Sequence, residues 1–226
     1  MWREILRLFK TESLCEESFR ACITMLRDCK SMFEDAVRSL RIEGTPGTEI
    51  YSRDRMINRF ERKVRRNIVT HLAISKNPDV NTALVLTAIV IDIERIGDYT
   101  KNIVELAAAH PGPFEGGDLD EEIRQLEETV RSMFEELIPA LENTDVDAAR
   151  RIMGDHQMLA DRVEESLQDL ISCKVKLRDS GEAVTAALYL RYLKRVSAHL
   201  KNVATSIVNP FYRIGYREKP QEPAAE

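Results

Sequence analysis

An all-α fold is predicted for this 226-residue chain, and three observations predict it. The nine glycines and eight prolines cluster at a few points and leave long stretches without a helix breaker. Apolar residues recur at steps of three and four, and runs of period two are absent, so no strand is expected. The second half of the chain also repeats the pattern of the first. Six long helices are expected, in two tandem antiparallel three-helix bundles related by a pseudo-twofold internal repeat. Residues 1–110 make the first unit, 118–210 the second and 211–226 a tail.

The first ten residues, MWREILRLFK, place Trp2, Ile5, Leu6 and Phe9 on one face of a short helix, with Arg3, Arg7 and Lys10 largely away from it. Such a face suits the interface of an anionic membrane, or packing onto the bundle. Helix one is expected over about 14–41. Its seam of Cys15, Phe19, Cys22, Leu26, Cys29, Phe33 and Val37 alternates steps of four and three. Gly44-Thr45-Pro46-Gly47 breaks it. Helix two, about 52–74, has Met56, Phe60, Val64, Ile68 and Leu72 as its apolar face, with His71 beside it as a satisfied structural histidine. Asn77 as N-cap and Pro78 at the first helical position open helix three, which runs to about residue 109.

His110-Pro111-Gly112-Pro113 and Gly116-Gly117 form the clearest linker. Beyond it, Ser31-Met32-Phe33-Glu34 recurs as Ser132-Met133-Phe134-Glu135 in helix four, about 118–142. Thr144 and Asp147 suggest a capping box for helix five, which is expected to reach about residue 177. Its Val163, Leu167 and Ile171 echo Phe60, Val64 and Ile68. Helix six starts near Ser180-Gly181 and ends near Asn209-Pro210. The tail from Tyr216 holds two prolines and three glutamates and is expected to be disordered.

Net charge is −5, distributed unevenly: residues 1–110 hold 18 basic against 16 acidic side chains, and residues 111–226 hold 15 against 22. That balance excludes a general nucleic-acid binder. Within the first half, Arg55, Arg59, Arg62 and Arg66 form a stripe opposite the apolar face of helix two. It is either a solvated face or a docking surface for an acidic partner or an anion. Of the four cysteines, those at 15, 22 and 29 are spaced seven apart, too far for one ion or one disulfide, and read as small core-facing residues of an intracellular protein. No signal-peptide pattern is visible, and the longest apolar run meets Asp92 and Glu94 too soon to span a bilayer, so a cytoplasmic location is expected.

The stretch of most chemical interest is Ile91 to Glu105, IDIERIGDYTKNIVE. Glu94, Asp98, Lys101 and Glu105 share one face of an otherwise apolar helix. Glu94 and Asp98 form either a solvated pair offset by Lys101 or a half-site for one hard divalent or ferric ion. Glu-Arg-Ile-Gly-Asp-Tyr followed by Lys-Asn-Ile resembles the signature of the PhoU family of phosphate-uptake regulators, an acidic residue, three others, Asp, a short spacer and Asn. The resemblance is strongest over 53–108 and traceable over 118–208. It implies two three-helix bundles, no catalysis and a metal-binding acidic motif in each bundle.

An offset of 100 turns Arg95, Lys101 and Asn102 into Arg195, Lys201 and Asn202, but Glu94 becomes Lys194 and Asp98 becomes Ala198. The second acidic motif is therefore lost, and Lys194 is a candidate ion-pair partner for Glu94 in place of a metal. A di-iron enzyme needs Glu-x-x-His pairs, yet Ile68, Ala107, Met153 and Val196 stand three before the histidines. No phosphate loop, His-Glu-x-x-His or Cys-x-x-Cys occurs. The resulting expectation is a cytoplasmic, non-enzymatic regulator of phosphate uptake that contacts a membrane phosphate transporter or its sensor kinase. The alternatives are a carboxylate-rich metal-storage or oxidase bundle, or a helical scaffold. Peripheral membrane contact and a homodimer are both compatible with the sequence.

Overall fold

The computed structural model describes residues 2–42 and 49–218, with side chains from residue 14 onward. Six helices carry the fold: α1 Trp2–Arg41, α2 Ile50–Ile74, α3 Val80–Ala109, α4 Asp120–Asn143, α5 Val146–Ile171 and α6 Ser180–Val208. Short 3-10 turns lie at Gly117–Leu119 and Phe211–Arg213. α1, α2 and α3 pack on one another, as do α4, α5 and α6, and the two groups join chiefly where α3 meets α6 and α1 meets α4.

Several helix limits differ from expectation for local reasons. The N-terminal segment is backbone of α1 and not a separate helix, because Thr11, Glu12 and Ser13 contain no breaker. The side chains of Trp2, Ile5, Leu6 and Phe9 lie outside the described residues. α3 is capped by Asp79 rather than Asn77, since Asp79 Oδ1 accepts the Thr82 amide at 3.0 Å and Oδ2 its hydroxyl at 2.6 Å. Asp145, not Thr144, caps α5 by accepting from the Ala148 amide at 2.9 Å, while Thr144 ends α4 at φ 54°. α5 stops at Ile171, where Cys173 takes the left-handed φ of 54°. The chain then folds back so that Val175 and Leu177 touch the core. On α2 the inner seam is Ile50, Ile57, Val64 and His71 at steps of seven, with Ile68 beside it; Met56 faces out, 48% exposed.

The repeat becomes visible as reciprocal contacts. Phe33 and Phe134, the same position in the two Ser-Met-Phe-Glu segments, meet with ring centroids 5.8 Å apart. Lys30 pairs with Glu135 at 3.0 Å, and the equivalent Arg131 pairs with Glu34 at 3.0 Å. Along α3 and α6, Asp92 meets His199 at 2.7 Å, and Tyr99 meets Tyr192 at 6.2 Å between centroids, again an exchange of equivalent positions. Such i-to-j and j-to-i pairing is what a twofold relation requires. Here it is internal to one chain.

The linker is pinned between the halves. Phe114 is buried and donates its amide to Leu40 O at 2.9 Å. Arg41 lies under the Phe114 ring, 5.3 Å from its centroid, and pairs with Asp120 and with the buried Glu127 at 2.9 Å. Tyr189 donates to the same Glu127 oxygen at 2.8 Å. Glu182, also buried, accepts the amides of Glu115, Gly116 and Arg178, each at 3.1 Å. Gly117 is required at its place: φ is +51°, and a Cβ there would sit 2.5 Å from Lys176 O. After α6, residues 211–218 are tied back to the helices, and the end of the tail, residues 219–226, lies outside the described residues. Gly215 donates to Thr205 Oγ1 at 2.7 Å, and Arg150 holds Glu218 at 2.9 Å.

Candidate functional site

α3 delivers Glu94 and Asp98 to the groove it shares with α2. Its apolar residues Ile89, Ile93, Ile96 and Ile103 fix the rotation of the helix by burying the opposite side. α2 answers with Asp54 and Glu61. All four carboxylates are largely covered, with side chains 18% (Glu94), 32% (Asp98), 14% (Asp54) and 14% (Glu61) exposed. Neither Asp54 nor Glu61 stands out in the sequence. Both sit inside the arginine-rich stretch 53–66, and only the antiparallel packing of α2 on α3 brings them to Glu94 and Asp98.

Lys101 is seated between the two helices. Its Nζ donates to Asp98 Oδ1 at 3.0 Å and to Asp54 Oδ1 at 3.1 Å. Burial pulls the ammonium's pKa down, but the bonds to Asp98 and Asp54 outweigh it and hold Lys101 above the ordinary lysine value. Glu94 moves the other way for a carboxylate: burial raises its pKa, Asp98 adds to the rise, Glu61 and Asp54 contribute, and Arg95 opposes. Arg95 reaches Glu94 at 3.8 Å from a half-exposed position. Lys194 does not pair with Glu94; it binds Glu164 on the neighbouring α5.

Whether these residues suit a metal ion follows from the donor geometry. Among the described residues no three of His, Cys, Asp and Glu gather in a metal-holding group. The ammonium of Lys101 stands between two of the carboxylates that a cation would need. The nearby Cys29 Sγ donates to Ile93 O at 3.5 Å, and full burial holds it far on the thiol side. Cys22 is likewise pushed up to about 12 by burial. As arranged, the site is an acidic cluster closed by a lysine. In the second half the equivalent place has the opposite sign. Lys201 donates to Asn202 Oδ1 at 2.9 Å and to Gly215 O at 2.8 Å. His156 contacts Ser197 Oγ at 2.9 Å, and its pKa is lowered to about 4 by burial and then by Lys201 and Lys194.

The arginine stripe lies on α2 away from the core. Arg55, Arg59, Arg62 and Arg66 are all exposed. Arg59, Arg62, Lys63, Arg66 and Asn67 line an open pocket of about 610 Å³. The acidic cluster and this stripe are thus two separate features of α2, one turned toward α3 and one turned outward.

Comparison with known proteins agrees with this arrangement. The PhoU domain model matches twice, over residues 23–107 and 123–207. A phosphate-specific transport system accessory protein PhoU homolog of Pseudomonas putida is 26% identical over 180 residues, covering 77% of this chain and 70% of that protein. Its counterpart in Pseudomonas aeruginosa is 25% identical over 180 residues, with 77% and 74% covered. The crystal structure of PhoU from Pseudomonas aeruginosa superposes with a TM-score of 0.76 at 22% identity, covering 87% of this chain and 96% of that one. The phosphate transport system regulatory protein PhoU from Streptococcus pneumoniae gives 0.64 at 15% identity, covering 91% and 95%. With both halves matched by one domain model, and the six helices arranged as in those structures, the chain belongs to the PhoU domain family.

Proposed function

We propose that the protein is a non-enzymatic, cytoplasmic regulator of phosphate uptake that acts by contact with a membrane phosphate transporter or its sensor kinase. The observation that carries the reading is the double match to the PhoU domain, together with relatives that bear the name of transport-system accessory proteins. The chemistry of the interior supports a binding role. Cys22 and Cys29 are buried thiols, and the Ser197–His156 contact is closed, with Ser197 fully buried and donating to Lys194 O at 2.9 Å. Among the described residues no helix is long and apolar enough to cross a membrane.

Affinity capture from the native membrane fraction, in phosphate-replete and phosphate-starved cells, tests the contact. Transporter or kinase subunits should be retained, in amounts that change with phosphate supply. A deletion strain whose phosphate uptake responds to supply as the parent does would overturn the regulatory reading.

A second reading is carried by the charge of the acidic cluster. Asp98 and Asp54 flank the Lys101 ammonium at 3.0 and 3.1 Å, and burial, then repulsion from Asp98, raises the pKa of Glu94. A divalent or ferric ion at Glu94 and Asp98 relieves that repulsion if Lys101 leaves Asp98. Metal content of protein purified without chelators, compared between the parent and a Glu94→Gln, Asp98→Asn double variant, decides it. Equal content in both ends the metal assignment.

A further inference from the structure

We infer that the outward face of α2 is a docking surface for an acidic, elongated protein segment, with Arg55, Arg59, Arg62 and Arg66 as its reading residues. The inference rests on the proposed mode of action by protein contact and supplies a surface for it. Its first support is a contrast within one helix. The cations that flank the stripe are paired: Arg53 with Asp35 at 2.8 Å, Lys63 with Glu17 at 2.7 Å and Arg65 with Glu61 at 3.1 Å. The four stripe arginines meet no carboxylate among the described residues; Arg62 only returns its Nε to Asn58 O at 3.0 Å, one turn back.

Spacing supplies the second support. Steps of four, three and four keep the guanidinium groups on one line, about 16 Å long at the helical rise. Like charges at this spacing repel, so the row is held at a cost that an anionic partner removes. α2 packs chiefly on α1 and α3, which leaves this line facing outward. The adjoining open pocket over Arg59, Arg62 and Arg66 gives acidic side chains room to enter.

The chemistry of the occupant follows from what surrounds the stripe. A single free phosphate spans only part of a row this long. A bilayer needs an apolar strip to insert beside the cations, and α2 keeps Ile57, Val64 and Ile68 inside; its exposed apolar side chains, Tyr51, Met56, Val69 and Ile74, lie singly toward the two ends of the row or beyond it and form no continuous strip. A nucleic acid meets a chain of net charge −5. Carboxylates on one face of a helix match the planar forks of arginine in both geometry and spacing.

The test uses the full chain and a labelled helical peptide of about fifteen residues with Glu at i, i+4, i+7 and i+11. Binding is followed by fluorescence anisotropy at about 50 mM and about 300 mM salt. The parent should bind and weaken with salt. An Arg59→Glu, Arg62→Glu variant should bind roughly tenfold less and lose most of the salt dependence, with an unchanged melting curve because both side chains are exposed. Equal binding by parent and variant overturns the inference, as does equal binding of a peptide with Gln in place of Glu. Retention of anionic vesicles without peptide binding would assign the face to a membrane instead. Salt-dependent self-association without peptide binding would assign it to a second copy. Failure in this assay leaves the response of a deletion strain to phosphate untouched, so the surface and the regulatory reading fail separately.

Discussion

Replacing Lys101 by Met tests the balance between lysine and cation in the acidic cluster. The substitution keeps the side-chain volume and removes an ammonium bonded to Asp98 at 3.0 Å and to Asp54 at 3.1 Å. Fully exposed pairs are worth roughly 0.2–1 kcal/mol, and losing one partner of a fully buried pair costs roughly 3–5 kcal/mol. With Lys101 21% exposed and its partners 14% and 32%, the loss should fall between, at about 2 kcal/mol. For a chain of this size that lowers the melting temperature by about 4–8 °C. The variant also frees Asp54 and Asp98, the latter one turn from Glu94, to meet a cation. A divalent ion at about 100 times its dissociation constant should return roughly 2.7 kcal/mol, and the parent should gain less because its lysine must first be displaced. Scanning calorimetry with EDTA and then with added Mn²⁺ or Mg²⁺ reads both effects. A Lys101→Met protein that melts with the parent and ignores metal would refute the account of the cluster. A parent that gains more from metal than the variant would show that Lys101 does not close the site.

Three further outcomes are expected. Arg41→Met should destabilise by roughly 3–5 kcal/mol by stranding buried Glu127, and adding Glu127→Leu should recover part of that loss, as a double-mutant cycle in urea would show. His156, held near 4 in the fold against about 6.5 when unfolded, binds its proton only in the unfolded chain between those values. Stability should therefore fall as pH drops through that window, by up to about 3 kcal/mol, and a His156→Gln variant unfolded in urea at about pH 7 and about pH 4.5 should lack that share of the loss. Vesicle co-sedimentation of the intact chain against one lacking residues 1–10 tests Trp2, Ile5, Leu6 and Phe9: a membrane role predicts salt-sensitive pelleting only for the intact form, and equal pelleting refutes it.

The sequence by itself determined the all-α class, the internal repeat and the family resemblance, because those depend on short-range spacing. Helix-breaking pairs are local, apolar seams at three and four are local, and Ser-Met-Phe-Glu can be matched to itself without coordinates. Helix limits were less legible at 77–80, 144–146 and 171–177, where competing cap residues stand side by side and only hydrogen-bond geometry selects Asp79 and Asp145. Glu127 did leave a signal, an acid among Ile123, Leu126 and Val130 on the apolar face of α4, but its partner Arg41 lies 86 residues away.

Tertiary structure alone decided which charges meet. Lys101 could be read as an offset for Asp98 three residues back, but its bond to Asp54 on α2 depends on the register of two antiparallel helices. Lys194 was a plausible partner for Glu94 until α5 placed Glu164 beside it. The reciprocal pairs Lys30–Glu135 and Arg131–Glu34 likewise exist only once the two halves dock. A side chain's helical face is set by periodicity, whereas its counterion is set by which face arrives opposite, and that is a property of the packed chain.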